Sequence, residues 1–418
     1  MTVNPVLKRI LIGTGLVLTL LFFLKEPLRR LPYQYAHRQV NKTVTHQIED
    51  GIKTPENMLS EVRQWQEETK VKKIVGLVFY GRRQQASILD CYLKRNLAKN
   101  GGVLDEVIWL QRTKDNADLA FLDKLMSSET SYSRVDVERI EGGFASAYDV
   151  IDDDILYVKV DTDIVYIEDT TILSMVHTRA VRPEYYVVGA NVINQPLSSW
   201  LHWGLGAVRP YLPENKTYGA KHEQSQGSVD WRASVLPQWS APKDFDIAGW
   251  SPPEGRKHRW LPVPNRVNDH ILDGTPILTT TYDAHTSSGW WNWIVGAQQH
   301  YSFFENLEKD ELWRYRFHTW DYRDLRMGIQ LIAITGRDIN IAKPIAQDDE
   351  DYFCVQMPRK LGRTAVAAGG GVASHFSFSA QKDGMDTTDI LDRYRSYAQE
   401  KICNGPMLWT SEADDTLL

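Results

Sequence analysis

Cysteine is scarce in this chain of 418 residues: Cys91, Cys354 and Cys403 are the three present. That is too few for a disulfide framework to stand in for a hydrophobic core. Cys91 sits among apolar residues on a predicted helix and reads as a buried thiol. Cys354 and Cys403 are able to pair in an oxidising compartment, which the sequence leaves open. An excess of basic charge is also lacking. A formal net charge of −6 excludes the electrostatic footprint of a nucleic-acid-binding protein. Nor does the amino end hold an apolar run of ordinary membrane-spanning length. The charge-free stretch at 10–24 covers about 22 Å as a helix, against a hydrocarbon core of about 30 Å.

That stretch is nonetheless flanked by charge, with Lys8-Arg9 before it and Lys25, Arg29 and Arg30 after it. Val6, Leu7 and snorkelling Lys8, Arg9 and Lys25 lengthen it enough for a thin early-secretory bilayer. No small-x-small cleavage pattern follows Leu24, and Glu26-Pro27 is a poor one, so an uncleaved signal anchor is expected over a cleaved signal peptide. The flanking Lys and Arg do not set its orientation. The expected organisation is a short tail (1–9), an anchor (10–25) and a polar stem (26–70) with a helical stretch near Ser60. A globular domain (71–402) and a carboxy-terminal tail (403–418) follow. Glycosylation sequons at Asn41 and Asn215 are compatible with a lumenal location but no more frequent than chance.

What is present is an alternation of strands and helices. Residues 74–80 form a continuous apolar run, a buried strand of the parallel type, leaving through Gly81-Arg82-Arg83. A helix over 84–98 follows, then a strand at 107–110 with Arg112 at its exit, and a helix over 116–126. A short helix near 145–151 precedes a strand ending in Asp161-Thr162-Asp163. Residues 185–193 form another strand, interrupted by Gly189, where a glycine marks close approach of a backbone or a ligand. Strands and helices alternating at these lengths predict an α/β fold of Rossmann type, a mostly parallel sheet with helices on both faces. Residues 200–320 lose periodicity and are rich in Trp. The chain holds 14 Trp and 19 Tyr, most of them expected in the core and some suited to a sugar-lined cleft. Periodicity returns after Leu325 and ends in a helix over 389–402.

Ligands of parallel α/β sheets bind beyond the carboxyl ends of the strands. Tyr80, Gly81, Arg82, Arg112 and the Asp161/Asp163 pair should therefore share one rim. Two carboxylates at i, i+2 at a strand end suit a hard cation such as Mn²⁺ or Mg²⁺ that keeps oxygen ligands from a phosphate. A lone D-x-D is more often only a polar turn, and the arginines alone are as readily a solvated loop. Basic residues and a divalent-cation motif on one rim together point to a nucleoside diphosphate. Downstream, Asp349-Glu350-Asp351 is an acidic cluster able to supply a general base, or simply a solvated turn. His375 follows the glycine run at 369–371.

The basic strand exit, Asp161-Thr162-Asp163, Asp349-Glu350-Asp351 and Gly371…His375-Phe376, in that order over residues 70–402, resemble the GT-A-fold, nucleotide-sugar-dependent glycosyltransferases of the type II Golgi membrane class. The resemblance implies Mn²⁺ held on the donor diphosphate by Asp161, Asp163 and His375, with Asp163 the firmest ligand. It implies a base at Asp351 or Glu350 in an inverting reaction, and donor or acceptor contacts near Gly189 and Asn191. A UDP-sugar donor, a glycan or glycoconjugate acceptor and a lumenal domain follow as expectations. The long aromatic segment departs from the pattern and leaves the acceptor undefined. Two other readings fit parts of the sequence. Asp161-x-Asp163-x-Val165 also matches the nucleophile motif of haloacid-dehalogenase-type phosphatases, although about 90 residues of strand and helix precede it. A non-catalytic, membrane-anchored carbohydrate-binding protein is the third.

Overall fold

The computed structural model of the protein describes residues 54–137, 143–214, 229–240, 245–254, 257–264 and 288–411. The expected anchor, the stem up to residue 53 and the sequons at Asn41 and Asn215 lie outside these. Among the described residues no helix is long and apolar enough to cross a membrane.

The compact unit begins at Pro55. Helix α1 (Pro55–Thr69) starts ahead of the expected Ser60 and buries Met58, Val62 and Gln66. Its Glu61 accepts from His177 at 2.8 Å. The helix, expected as part of a stem, therefore belongs to the packed domain. Strand β1 (Lys73–Tyr80), helix α2 (Arg83–Arg95), β2 (Glu106–Gln111), α3 (Asn116–Ser128), β3 (Tyr132–Asp136), β4 (Ile155–Asp161) and β5 (Ile164–Ile167) follow. Then come α4 (Thr171–Val181), β6 (Tyr185–Ile193), α5 (Pro196–Gly204), the short pair β7 (Tyr211–Pro213) and β8 (Trp260–Pro262), and α6 (Trp293–Glu308). β9 (Thr319–Asp321), β10 (Leu331–Thr335), α7 (Gly336–Ala342), β11 (Thr364–His375) and α8 (Ile390–Lys401) complete the order.

The main sheet runs β3-β2-β1-β4-β10-β6-β11-β5, with β9 added on β11. β3, β2, β1 and β4 are mutually parallel, β10 is reversed between β4 and β6, and β11 is parallel to β6. This is a mixed α/β architecture with a large, mostly parallel sheet. Alternate residues of β1 serve different cores: Ile74, Val78 and Tyr80 enter one, Val75, Leu77 and Phe79 the other. The period of two thus places apolar side chains on both faces, which helices must cover. Only Thr162 and Asp163 separate β4 from β5, yet β10, β6 and β11 lie between these strands in the sheet. The sheet must curl to bring its far end back to β4.

Residues 200–320 hold more order than their aperiodicity suggests. α6 buries its residues from Val295 to Asn306 on every side, so it has no amphipathic stripe to read. Trp231, Trp239 and Trp260 are core residues, whereas Trp200, Trp203, Trp291, Trp313 and Trp320 are exposed. The glycine run 369–371 is a packing device. An added Cβ would lie 2.3 Å from the Phe317 carbonyl oxygen at Gly369, and 2.6 Å from the hydroxyls of Ser174 and Thr171 at Gly370 and Gly371. The cysteines pair otherwise than expected: Cys91 on α2 is bonded to Cys403 just past α8, and Cys354 is the buried free thiol. α2 and α8 pack together, and the fold thus joins residues 312 positions apart, which sequence spacing does not reveal.

Two arginines, Arg179 of α4 and Arg363 before β11, close on Asp338 of α7, each with an N–O distance of 2.6 Å. Burial pushes the Asp338 carboxyl up, but the two guanidinium groups hold it below the ordinary value. Its stabilising contribution is full above the unfolded pKa of about 4 and is lost as pH falls through the depressed folded value. Asp338→Asn, which leaves two buried cations underpaired, is expected to destabilise the fold by about 3–5 kcal/mol in urea at pH 7. Its stability should also vary less with pH in the acid range than that of the parent. A second expectation concerns the cysteines: thiol titration of the denatured, unreduced protein should count one reactive thiol, and Cys403→Ser should cost about 2–5 kcal/mol.

Candidate functional site

β1, β2 and β4 end side by side. The β1–β4 register sets Phe79 opposite Asp161, and the β1–β2 register sets Tyr80 opposite Gln111. Gly81-Arg82 and Arg112 therefore emerge beside the aspartate turn. β11 runs antiparallel to β5 and aligns His375 with Ile164, after a bulge at Ser374/His375. The Phe376 N–H donates to the Asp163 carbonyl at 2.8 Å, which fixes the end of β11 onto the turn. These strand ends wall a cleft of about 580 Å³ lined by Tyr80, Gly81, Arg82, Arg112, Lys159, Asp161, Asp163, Arg326, Asp349, Glu350, His375 and others.

Most of the residues singled out from sequence thus meet in one place. Three do not. Asp351 is not part of the cleft wall; its carboxylate accepts from Gln356 at 2.8 Å. Its neighbours Asp349 and Glu350 face the cleft instead, because the helical turn Asp349–Asp351 points successive side chains about 100° apart. Gly189 makes room for the Met327 side chain, 2.8 Å from where a Cβ would stand. Asn191 is spent inside the protein, donating to the Tyr315 carbonyl at 2.9 Å and joined to His202 Nε2 at 2.6 Å.

At the turn, Asp163 Oδ1 is buried without a hydrogen-bond partner and lies 3.4 Å from His375 Nε2. Arg82 stands 3.9 Å from Asp163 Oδ2. Burial works against ionising Asp163, but the positive fields of His375 and Arg82 hold its carboxyl below the ordinary value. Burial likewise opposes protonation of His375, yet Asp163 raises its pKa. Asp161 is different. Desolvation pushes its carboxyl up to about 6, with Lys159 opposing and Asp163 adding to the shift. Its Oδ1 accepts from Lys159 Nζ at 2.6 Å. The turn thus offers one buried, unsatisfied carboxylate oxygen, Asp163 Oδ1, beside an imidazole, whereas Asp161 is turned to an ammonium. Among the described residues, no group of three or more His, Cys, Asp or Glu side chains is arranged to hold a metal ion.

The acidic wall is also organised. Glu350 accepts from Arg326 at 2.5 Å and Gln330 at 3.3 Å, and Asp348 takes a second arm of Arg326 at 2.8 Å. Asp349 accepts from the Tyr148 hydroxyl at 2.9 Å. Trp290 stacks on Phe378 with centroids 4.4 Å apart, and Phe378 in turn meets the His375 ring at 4.5 Å. Sequence reasoning passed over Lys159 and Arg326, and within the acidic cluster it took Asp351 or Glu350, not Asp349, for the base. Lys159 was legible as the i−2 neighbour of Asp161 on the same strand face; Arg326 falls where periodicity suggests order after Leu325, but the chain there is a loop until β10 begins at Leu331. In comparisons with known proteins, no family model matches the chain and no curated protein matches it significantly.

The surroundings of Glu350 and of Asp351 should differ in what they contribute to stability. Arg326→Met strips the cation from a buried carboxylate and is expected to cost about 3 kcal/mol in chemical denaturation. Asp351→Asn, away from the cleft, should stay within about 0.5 kcal/mol of the parent.

Proposed function

We propose that the protein is a metal-dependent glycosyltransferase of GT-A type that moves a sugar from a nucleotide-sugar donor, a UDP-sugar in the first instance, to a hydroxyl of a glycan or glycoconjugate. The observation that carries this reading is the junction of Arg82, Arg112 and Lys159 with Asp163, His375 and the acidic pair Asp349/Glu350 in one cleft beyond the strand ends. Cations there match a diphosphate, and a carboxylate opposite matches a reacting hydroxyl. The bonded pair Cys91–Cys403 supports a lumenal, oxidising location, in keeping with a type II Golgi membrane protein.

Asp163 and His375 would hold Mn²⁺ or Mg²⁺, whose remaining positions suit phosphate oxygens and water. The ion supplies charge neutralisation for a leaving diphosphate. Arg82 and Arg112 bind and orient the donor phosphates. Asp349, in the cleft wall with one oxygen on Tyr148, accepts the proton of the acceptor hydroxyl. The acceptor oxygen forms its bond to the anomeric carbon as the bond from that carbon to the phosphate oxygen breaks, with inversion. Glu350, engaged by Arg326 and Gln330, fixes the loop that carries Asp349.

The test is nucleotide release by the purified full-length chain with a panel of UDP- and GDP-sugars, with and without Mn²⁺. Release with one donor, requiring metal and lost in Asp163→Ala, is the expected outcome. Asp349→Asn should lower kcat by about 100-fold or more with little change in donor KM, while Asp351→Asn stays near the parent. Release of phosphate through a trapped aspartyl-phosphate at Asp161 would replace this reading with a phosphatase.

A further inference from the structure

Lys159 is the buried cation of the cleft. It sits on the central strand β4 with its side chain almost wholly covered, yet it lines the same cavity as Arg82 and Arg112. Its Nζ donates to Asp161 Oδ1 at 2.6 Å and to the Ile329 carbonyl at 2.8 Å, and lies 4.9 Å from the centre of the Phe79 ring. Burying an ion pair costs more in desolvation than a well-packed apolar pair of the same shape. The rest of β4 is apolar at the corresponding depth, with Tyr157 on the same face. A structural role therefore does not need a lysine here.

An ammonium has three N–H groups, and the two contacts above use two of them. The clamp also does something to the aspartate turn: it engages Asp161 and leaves Asp163, beside His375, as the carboxylate with an unsatisfied buried oxygen. We infer that Lys159 is a built-in second cation of the diphosphate site, donating its remaining N–H to a phosphate oxygen of the ligand while it keeps Asp161 out of the metal's coordination. The inference rests on the diphosphate-binding reading above and deepens it. It divides the two aspartates of the turn by their partners: Asp163 serves a divalent ion, and Asp161 serves the lysine that faces the phosphates. A buried, fixed ammonium is worth more to an anion than one in bulk water, because little must be reorganised when the anion arrives.

The experiment is calorimetric binding of inorganic pyrophosphate and of UDP to the full-length protein in excess EDTA, with Mn²⁺ binding followed separately by electron paramagnetic resonance. In Lys159→Met, loss of one charge-assisted hydrogen bond should weaken metal-free pyrophosphate binding about tenfold or more. Lys159→Arg should restore part of it. Mn²⁺ binding should be retained or tightened in Lys159→Met, because Asp161 is released, and lost in Asp163→Ala. Should Lys159→Met fold poorly, the double variant Lys159→Met/Asp161→Asn removes both members of the pair and carries the same expectation for pyrophosphate, with Mn²⁺ binding retained. Equal pyrophosphate affinity in parent and Lys159→Met, or no metal-free binding by the parent, overturns the inference, as does loss of Mn²⁺ binding in the well-folded lysine variant. Lys159-dependent pyrophosphate binding without turnover of any sugar donor would uphold this inference and sink the transferase reading. Metal-dependent transfer with Lys159→Met unaffected in pyrophosphate binding would do the reverse.

Discussion

The structure depends on the shortness of the link between β4 and β5. With Thr162 and Asp163 alone between them, and three strands intervening in the sheet, the sheet has to close on itself at one corner. Thr162 helps to hold that corner by donating to the Phe79 carbonyl at 3.2 Å. Antiparallel pairing of β5 with β11 then carries His375 to Asp163 without any long loop. The strand ends supply both sides of the candidate site as rigid elements, a geometry that preorganises charged groups better than loops do.

Charge in the cleft is arranged in pairs rather than spread evenly. Lys159 faces Asp161, Arg326 faces Glu350, and Arg82 approaches Asp163 without a close contact. A group already engaged by a good partner has less to offer an incoming ligand than one whose buried atom is unsatisfied. That difference separates Asp163 from Asp161, although the two look alike as a D-x-D motif. Within the acidic pair, Glu350 is held by a guanidinium and an amide, and Asp349 by a neutral hydroxyl. The aromatic stack from Trp290 through Phe378 to His375 closes another part of the cleft, with an apolar face beside charged groups.

Much of the scaffold was legible because its strands are buried on both faces and read as continuous apolar runs. β1 and β6 fall where the runs at 74–80 and 185–193 place them, and the rim of Arg82, Arg112 and the aspartate turn follows from parallel strand order. β3 was missed because its exposed Ser133, Arg134 and Asp136 break the apolar run. α6 was missed for the opposite reason, being buried all round. The pairing of Cys91 with Cys403 depends on α2 meeting the end of α8, a tertiary contact with no local trace. Within the acidic cluster, composition marked the segment, but helix phase decided that Asp349 and Glu350 face the cleft in place of Asp351. Gly189 was marked as a place of close approach, and the approaching group is the Met327 side chain; the glycine run carried no such mark, yet Phe317, Ser174 and Thr171 crowd it.

The most direct measurement of the central claim is calorimetric titration of UDP and of GDP into the full-length protein with Mn²⁺ present, repeated in Asp163→Ala and His375→Ala. The account predicts that one of these nucleotides binds, that Mn²⁺ strengthens its binding, and that either substitution removes the strengthening while leaving the fold intact. Binding of neither nucleotide by the folded parent protein, or a metal effect that survives in both variants, would contradict it.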